Sequence, residues 1–216
     1  MKKALSLLLV LAMLIGMMPM QIFAADSEQP APGREVISIM GDSISTFAGY
    51  LPKGNATYYP KNTVQSVADT WWMQLITELD ANLGVNESWS GSCVSVTSGE
   101  RLPMVSLERI QNLDNNGTPN VILFFGGTND IAFFSETTPV GSFDPTTAPV
   151  QADLTKTEWE TFADGYVAAI LRMRYYYPEA RIVSILPTVN TKYYNDATLE
   201  KYNSVMRAIC KHYGVE

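Results

Sequence analysis

The folded part of the chain opens with Val36-Ile37-Ser38-Ile39-Met40-Gly41-Asp42-Ser43-Ile44-Ser45, a short apolar run that ends in a turn of small and polar residues. The run is typical of a buried strand, at about residues 35–40, and the turn places a hydroxyl directly after it. Open α/β sheets bind ligands outside the carboxyl ends of their parallel strands. Ser43 is therefore a candidate nucleophile, which requires a base beside it and oxyanion donors opposite.

Three more apolar runs predict strands, near Leu83–Asn86, at Val121–Phe125 and at Arg181–Leu186. The predicted helices are one beginning at Asp69 or Thr70, one around Val105–Leu113, one from a Thr157–Glu160 capping box to Pro178, and one from Asn195 or Asp196 to Gly214. This alternation predicts a three-layer α/β/α fold, with a parallel sheet and helices on both of its faces. Val215-Glu216 resemble the first residues of a fifth strand.

Residues 1–25 are predicted to be a secretory signal peptide. Lys2 and Lys3 precede an apolar stretch from Ala4 to Met18, and the small residues at 24–25 suit a signal peptidase. An uncleaved membrane anchor is the alternative. Residues 26–34 are predicted to be a linker and residues 35–216 a single domain, in which no stretch approaches the ~20 apolar residues of a membrane-spanning helix. The mature protein is therefore expected to be secreted.

The charge balance argues against some partners. The chain has 15 basic and 22 acidic residues and a net charge of −7, and removal of Lys2 and Lys3 with the signal peptide brings this to −9. An acidic chain without a basic run argues against nucleic acid and anionic membrane surfaces as partners.

Of the two cysteines, Cys93 is predicted near the carboxyl edge of the sheet and Cys210 near the opposite edge. Because a disulfide needs Cα atoms within about 7 Å, we expect two unpaired thiols.

Three motifs resemble those of the SGNH (GDSL-type) hydrolases. The residues from Gly41 to Ser45 resemble the first block, Asn86-Glu87-Ser88-Trp89-Ser90-Gly91 the second, and Gly127-Thr128-Asn129-Asp130 the third. Each motif alone is weak evidence, but the three occur in order, each after a predicted strand. The resemblance spans about residues 35–216 and implies a flavodoxin-like fold. Ser88 departs from the family, which often has an extra glycine at that position, although the donor there is a backbone N–H.

The resemblance implies that Ser43 is the nucleophile and that its own N–H, the Gly91 N–H and the Asn129 side-chain amide form the oxyanion hole. Donors of this kind stabilise a tetrahedral intermediate by about 2.7–4 kcal/mol each. Asp42 is expected to accept hydrogen bonds from the turn. The implied reaction is hydrolysis of a carboxylic ester through an acyl-enzyme, without a metal or an organic cofactor.

The histidine base of the family, which lies in an Asp-x-x-His sequence, has no counterpart in the chain. The only histidine, His212, is predicted near the end of the last helix, at the sheet edge opposite Ser43 and about 17–20 Å away. We interpret the sequence as incomplete, ending before the fifth strand and the Asp-His pair. The segment alone is then expected to be nearly inactive, because loss of a triad member leaves only residual catalysis. If the chain truly ends at Glu216, a non-catalytic glycan-binding protein becomes the alternative.

Aromatic residues predicted near the site suit a carbohydrate surface, since flat rings stack on sugars; they are Tyr58, Tyr59, Trp89, Phe133 and Phe134. We therefore expect a carbohydrate O-acetylesterase that acts on polysaccharide or small-molecule esters. A lipase or lysophospholipase of the same family is the alternative, with the loop at residues 131–154 as an apolar cover. A thiol enzyme using Cys93 is disfavoured, because no neighbouring histidine lowers its pKa.

Overall fold

The computed structural model describes residue 31 and residues 33–216, so the predicted signal peptide and most of the predicted linker lie outside the described residues. The described residues form one sheet of four strands: β1 (Val36–Gly41), β2 (Asn82–Asn86), β3 (Val121–Phe125) and β4 (Arg181–Ile185). All neighbouring strands are parallel, in the order β2-β1-β3-β4. Gly41 pairs with Phe125, so the carboxyl ends of the two central strands are adjacent.

The α-helices of the described residues are α1 (Trp71–Glu78), α2 (Leu107–Gln111), α3 (Phe162–Tyr176) and α4 (Asp196–Tyr213). Two predicted N-caps are confirmed, because the Thr70 side chain accepts the Met73 N–H and that of Asn195 accepts the Thr198 N–H. Gly214 ends α4 in the left-handed conformation, as predicted for a glycine after a helix. No helix of the described residues has the length and apolar content needed to cross a membrane.

The predicted capping box at Thr157 and Glu160 is wrong. The helix begins later, with Thr161 as its N-cap and the Thr161 hydroxyl accepting the Asp164 N–H at 3.2 Å. The chain before it is held in another path by Arg172 of α3, which donates to the backbone carbonyls of Asp153 and Lys156. Thr157–Glu160 and Thr161–Asp164 both have the Thr-x-x-acid pattern of a helix start. The contacts of Arg172 with the chain before Thr161 favour a start at Thr161.

The sheet is covered on both faces, which confirms the α/β/α architecture. On one face, Ile37 and Ile39 of β1 pack with Trp72 and Ile76 of α1. On the other, Ile122 and Phe124 of β3 join the buried side chains of α2, α3 and α4. The strands are apolar on both sides because both faces are buried.

The last two residues and the cysteines agree with their predictions. The Glu216 N–H donates to the Ile182 carbonyl at 3.1 Å, and the Glu216 carbonyl accepts the Ser184 N–H at 2.7 Å. Val215-Glu216 therefore lie beside β4 with parallel pairing. Cys93 and Cys210 are both buried and free.

Candidate active site

Ser43 begins a helical turn, Ser43–Ser45, that follows β1 directly. Asp42 caps this turn, as predicted, because its Oδ1 accepts the Ile44 N–H at 3.0 Å. The Ser43 carbonyl accepts hydrogen bonds from the Thr46 N–H, at 3.2 Å, and from the Thr46 hydroxyl, at 2.8 Å. Within the part of the chain that the structure describes, the half-buried Ser43 makes no hydrogen bond through its own hydroxyl or N–H. These hydrogen bonds hold the turn, and among the described residues the Ser43 hydroxyl has no hydrogen-bond partner.

The segment after β2 carries the second site residue, Gly91. It is tied to the end of β1 by the Gly41 carbonyl, which accepts the Trp89 N–H at 3.1 Å and the Ser92 hydroxyl at 3.4 Å. Gly91 has φ of +83°, a conformation that favours glycine. Its N–H has no backbone acceptor among the described residues. The N–H is thus available to a ligand at the edge where Ser43 lies.

The segment after β3 carries Asn129, which is buried. Its amide nitrogen donates to the Ser92 carbonyl at 2.8 Å, and this is the hydrogen bond that the amide makes within the described chain. An amide nitrogen has two N–H groups, so one remains for an oxyanion.

Hydrogen bonds through Ser92 join the three segments at one edge of the sheet. The bond from the Ser92 hydroxyl to the Gly41 carbonyl spans 51 residues of sequence, and the bond from Asn129 to the Ser92 carbonyl spans 37. Gly41 lies two residues before Ser43, and Ser92 directly follows Gly91. The fold therefore brings the predicted nucleophile and both other predicted donors to the same edge.

Buried acidic groups lie beneath this edge. Burial raises the pKa of Asp42 to about 6, and the nearby charge of Asp130 acts in the same direction, while the hydrogen bond from the Ile44 N–H opposes the rise. Burial also raises the pKa of Asp130. Desolvation disfavours the charged form of a carboxyl group, which is why both shifts are upward.

A buried ion pair supports the first two segments from below. Arg109 of α2 donates to the carbonyls of Gly41 at 3.3 Å and Leu102 at 3.1 Å, and also to that of Glu87. Its Nε lies 3.6 Å from Oε1 of Glu87, and both side chains are almost fully buried. Burial lowers the pKa of Arg109 to about 10 and raises the pKa of Glu87. Arg109 therefore remains charged at neutral pH.

The structure keeps His212 away from the site, as the sequence predicts. His212 is exposed near the end of α4, where its ring packs against Phe143 and Tyr213. The chain enters its pairing with β4 directly after α4, at Ile182 near the start of that strand. His212 therefore lies at the amino-terminal edge of the sheet, whereas Ser43 lies at the carboxyl edge.

Thiol chemistry at Cys93 is also disfavoured. The side chain is fully buried, and burial together with the charges of Asp130 and Asp42 raises the pKa of the thiol. A thiol held in its protonated form is a poor nucleophile. Among the described residues, no group of three or more His, Cys, Asp or Glu side chains is arranged to hold a metal ion.

Aromatic side chains surround the carboxyl edge. The backbone N–H of Tyr58 donates to the Thr46 hydroxyl at 2.8 Å, which places Tyr58 beside the Ser43 turn. The rings of Phe133 and Tyr193 meet edge to face at 5.3 Å. All three rings are exposed, at 44%, 59% and 45%. We call Tyr58, Phe133 and Tyr193 the aromatic rim. Tyr58 and Phe133 are predicted from the sequence to lie near the site, and the contact with Phe133 adds Tyr193, which lies in the loop after β4.

Three cavities of the described residues do not include the three candidate site residues. One of about 440 Å³ and another of about 570 Å³ flank α3, and they share Gln151 and Leu171 in their walls. A third, of about 450 Å³, is formed by residues 191–196 and includes Tyr193 of the aromatic rim. Ser43, Gly91 and Asn129 line none of these three cavities.

Comparison with known proteins gives a match to one family. The family model described as GDSL-like Lipase/Acylhydrolase matches residues 35–216. No protein with a curated description matches the chain. The matched range begins just before β1 and contains all three sequence motifs.

Solved structures agree with this match. A protein from Bacteroides uniformis ATCC 8492, named as a GDSL-like lipase, is 34% identical over 86% of this chain and 82% of its own, with a TM-score of 0.66. One from Bacteroides ovatus ATCC 8483, named in the same way, is 32% identical over 85% and 83%, with a TM-score of 0.65. A family two carbohydrate esterase from Clostridium thermocellum in complex with cellohexaose is 18% identical over 85% and 53%, with a TM-score of 0.54, and shares the fold.

Proposed function

Because the chain belongs to the GDSL-like lipase/acylhydrolase family, we propose that it is a secreted serine esterase whose nucleophile is Ser43 and whose substrates are O-acetylated carbohydrates. One observation carries the proposal. Ser43, Gly91 and Asn129 each follow a different parallel strand at its carboxyl end, and each keeps a hydroxyl or an N–H without an internal partner among the described residues. Secretion rests on the composition of residues 1–25.

The reaction would proceed through an acyl-enzyme. The Ser43 oxygen attacks the ester carbonyl while its proton passes to a base, and negative charge develops on the carbonyl oxygen. The N–H groups of Ser43, Gly91 and Asn129 would stabilise that oxygen. The alcohol leaves with a proton from the base, and water then releases the acid from Ser43 by the same steps. Asp42 would hold the turn in place through the Ile44 N–H.

The base in this mechanism is a group other than His212. The His212 ring packs on Phe143 and Tyr213 at the other edge of the sheet, out of reach of the Ser43 hydroxyl. His212→Ala is therefore expected to leave the hydrolysis rate unchanged.

A carbohydrate substrate is favoured by the aromatic rim. Exposed rings bind sugar faces through stacking, and Tyr58, Phe133 and Tyr193 are all exposed, with Phe133 and Tyr193 in contact. The carbohydrate esterase from Clostridium thermocellum, whose structure contains cellohexaose, has the same fold. Lipid ester hydrolysis is the second candidate. It is favoured by the names of the Bacteroides proteins and by Phe133, which is 59% exposed in the loop at 131–154.

The nucleophile is tested with Ser43→Ala and p-nitrophenyl acetate. We expect hydrolysis to fall by about 10³-fold or more, as for removal of a triad member. Ser204→Ala is the matched control, since Ser204 is exposed on α4 and bonds Glu200. Activity retained by Ser43→Ala would refute the assignment.

The substrate class is tested by comparing acetylated xylo-oligosaccharides with lysophosphatidylcholine. We expect acetate release from the oligosaccharide, with KM raised by Phe133→Ala and Tyr193→Ala. Preference for the lipid would favour the second candidate. Binding of the glycan without release of acetate would support a non-catalytic protein.

Secretion is tested by sequencing the amino terminus of exported protein, which should begin near residue 25 or 26.

A further inference from the structure

The side chain of Arg101 lies against Gly91. Its Nε donates to the Ser90 carbonyl at 2.6 Å. A Cβ on Gly91 would stand 3.1 Å from Nε and 3.4 Å from Cζ of Arg101, so the guanidinium covers one side of this glycine. The Ser90 carbonyl and the Gly91 N–H belong to the same peptide group. Arg101 therefore holds the far end of the peptide whose N–H faces the site.

Arg101 is itself held in place. Its backbone and that of Ser98 exchange hydrogen bonds of 3.2 and 3.1 Å, which close a tight turn, and its Nη1 donates to the Ser98 carbonyl at 3.2 Å. The residue is half-buried. Among the ion pairs within the described residues, none involves Arg101. Its positive charge therefore acts on the Ser90–Gly91 peptide without a carboxylate partner to offset it.

We propose that Arg101 is a positioning residue of the oxyanion hole, which fixes the Ser90–Gly91 peptide and strengthens its N–H as a donor. The proposal rests on the proposed function, since it takes Gly91 as an oxyanion donor. Arg101 touches the donor peptide and acts on the reacting atoms only through it.

Two physical effects would contribute. A hydrogen bond from a charged guanidinium is about twice as strong as a neutral one, so the peptide plane is held firmly. Hydrogen bonds in sequence also polarise one another, and withdrawal of electron density at the Ser90 carbonyl makes the Gly91 N–H a better donor. Both effects act on the developing oxyanion more than on the neutral ester. Because formation and hydrolysis of an acyl-enzyme each pass through an oxyanion, kcat should fall whichever step limits the rate.

The charge of Arg101 also acts on a neighbouring side chain, that of Cys93. Cys93 lies two residues after Gly91, and Arg101 opposes the rise in the pKa of its thiol that burial causes. The sequence offers no local signal for Arg101, because its role depends on a carbonyl 11 residues earlier that it reaches through a turn.

The test compares Arg101→Met, Arg101→Gln and Arg101→Lys in the hydrolysis of p-nitrophenyl acetate. We expect Arg101→Met to lower kcat about 10- to 100-fold with KM changed less than about threefold, since a displaced donor costs up to that range. Arg101→Lys keeps the charge and should retain most of kcat, while Arg101→Gln keeps a donor without the charge and should resemble Arg101→Met. Arg174→Met is the control, because Arg174 also donates to a backbone carbonyl, that of Gly214 at the far end of α4.

The outcomes separate this proposal from its alternatives. Unchanged kcat in Arg101→Met would overturn it, and so would a rise in KM alone, which would mean that Arg101 binds the substrate. Equal losses in Arg101→Lys and Arg101→Met, with equal drops in melting temperature, would show a purely structural role and also overturn it. Failure of the proposed function would be detected separately, as hydrolysis that persists in Ser43→Ala.

Discussion

The carboxylate of Asp130 accepts the backbone N–H of Val94 at 2.9 Å, across 36 residues of sequence. The same carboxylate accepts the N–H of Ser95 at 3.3 Å and its hydroxyl at 3.1 Å. Asp130 directly follows Asn129, and Val94 lies three residues after Gly91. This buried contact therefore sets the position of Asn129 relative to Gly91, which are two of the proposed oxyanion donors. Substitution of each donor, beside a matched control, tests its contribution.

Asn129→Ala removes one proposed donor. We expect kcat for p-nitrophenyl acetate to fall about 10²- to 10³-fold, the usual effect of losing one oxyanion donor. Asn116→Ala is the control, because the Asn116 amide also donates to backbone carbonyls, those of Leu83 and Gly84. A loss of the same size in both variants would mean that the effect is on folding rather than on the oxyanion.

Gly91→Ala tests the donor peptide itself. The φ of +83° disfavours alanine by about 1–2 kcal/mol, and the added Cβ would stand 3.1 Å from the Arg101 side chain, so that either Arg101 or the peptide would have to shift. We expect a large loss of kcat. Gly33→Ala has the same φ of +83° with no atom within 4 Å of the added Cβ, so its activity should be normal. Steady-state kinetics of both variants provide the comparison.

Asp42→Asn tests the pH dependence of stability. The pKa of Asp42 rises from 3.8 to about 6 on folding, so between these values the folded state holds a proton that the unfolded state has lost. The free energy of unfolding therefore falls as pH rises through this window and stays lower above it. The substituted amide oxygen would still accept the Ile44 N–H, but the side chain would not ionise. Relative to the wild type, the variant should gain up to about 3 kcal/mol between pH 4 and pH 7.

Urea unfolding at several pH values measures this gain. Glu87 and Asp130 also have raised pKa values, so the wild-type curve alone cannot isolate Asp42, whereas the difference between the two proteins can. Asp144→Asn is the contrasting control, because hydrogen bonds from Thr146 lower the pKa of Asp144. The pH-dependent change in the free energy of unfolding of Asp144→Asn, relative to the wild type, should have the opposite sign to that of Asp42→Asn. A pH-independent difference for Asp42→Asn would contradict the raised pKa.

Arg109→Met should destabilise the fold by about 3–5 kcal/mol, because it leaves Glu87 as an unpaired buried charge. The double variant Arg109→Met/Glu87→Gln should recover part of that loss, since the uncompensated charge is then gone. Urea unfolding of Arg109→Met, Glu87→Gln and the double variant gives the coupling free energy between the two side chains. Arg181→Met breaks an exposed pair with Glu216 and should cost less than about 1 kcal/mol. Equal effects at Arg109 and Arg181 would contradict the importance of burial.

Local chemistry made much of the fold predictable. The strand predicted at Val121–Phe125 has those bounds in the structure, and Gly214 ends the last helix as predicted. The two predicted N-cap alternatives, Asp69 or Thr70 and Asn195 or Asp196, each include the observed cap, which is Thr70 in one helix and Asn195 in the other. Strand length, capping and left-handed glycine depend on residues within a few positions of one another. For the same reason the motifs that contain Ser43, Gly91 and Asn129 could be read directly, since each follows a recognisable strand.

Only the tertiary structure decided the rest. The amino acid sequence determined a parallel α/β fold and three candidate site residues, because strand periodicity and small-residue turns are local. The start of α3 depended on Arg172, the support of the site on Arg109, and the position of the Gly91 peptide on Arg101. These arginines act by reaching backbone carbonyls in other segments. Such contacts join groups that are distant in sequence, and they exist only once the chain has folded.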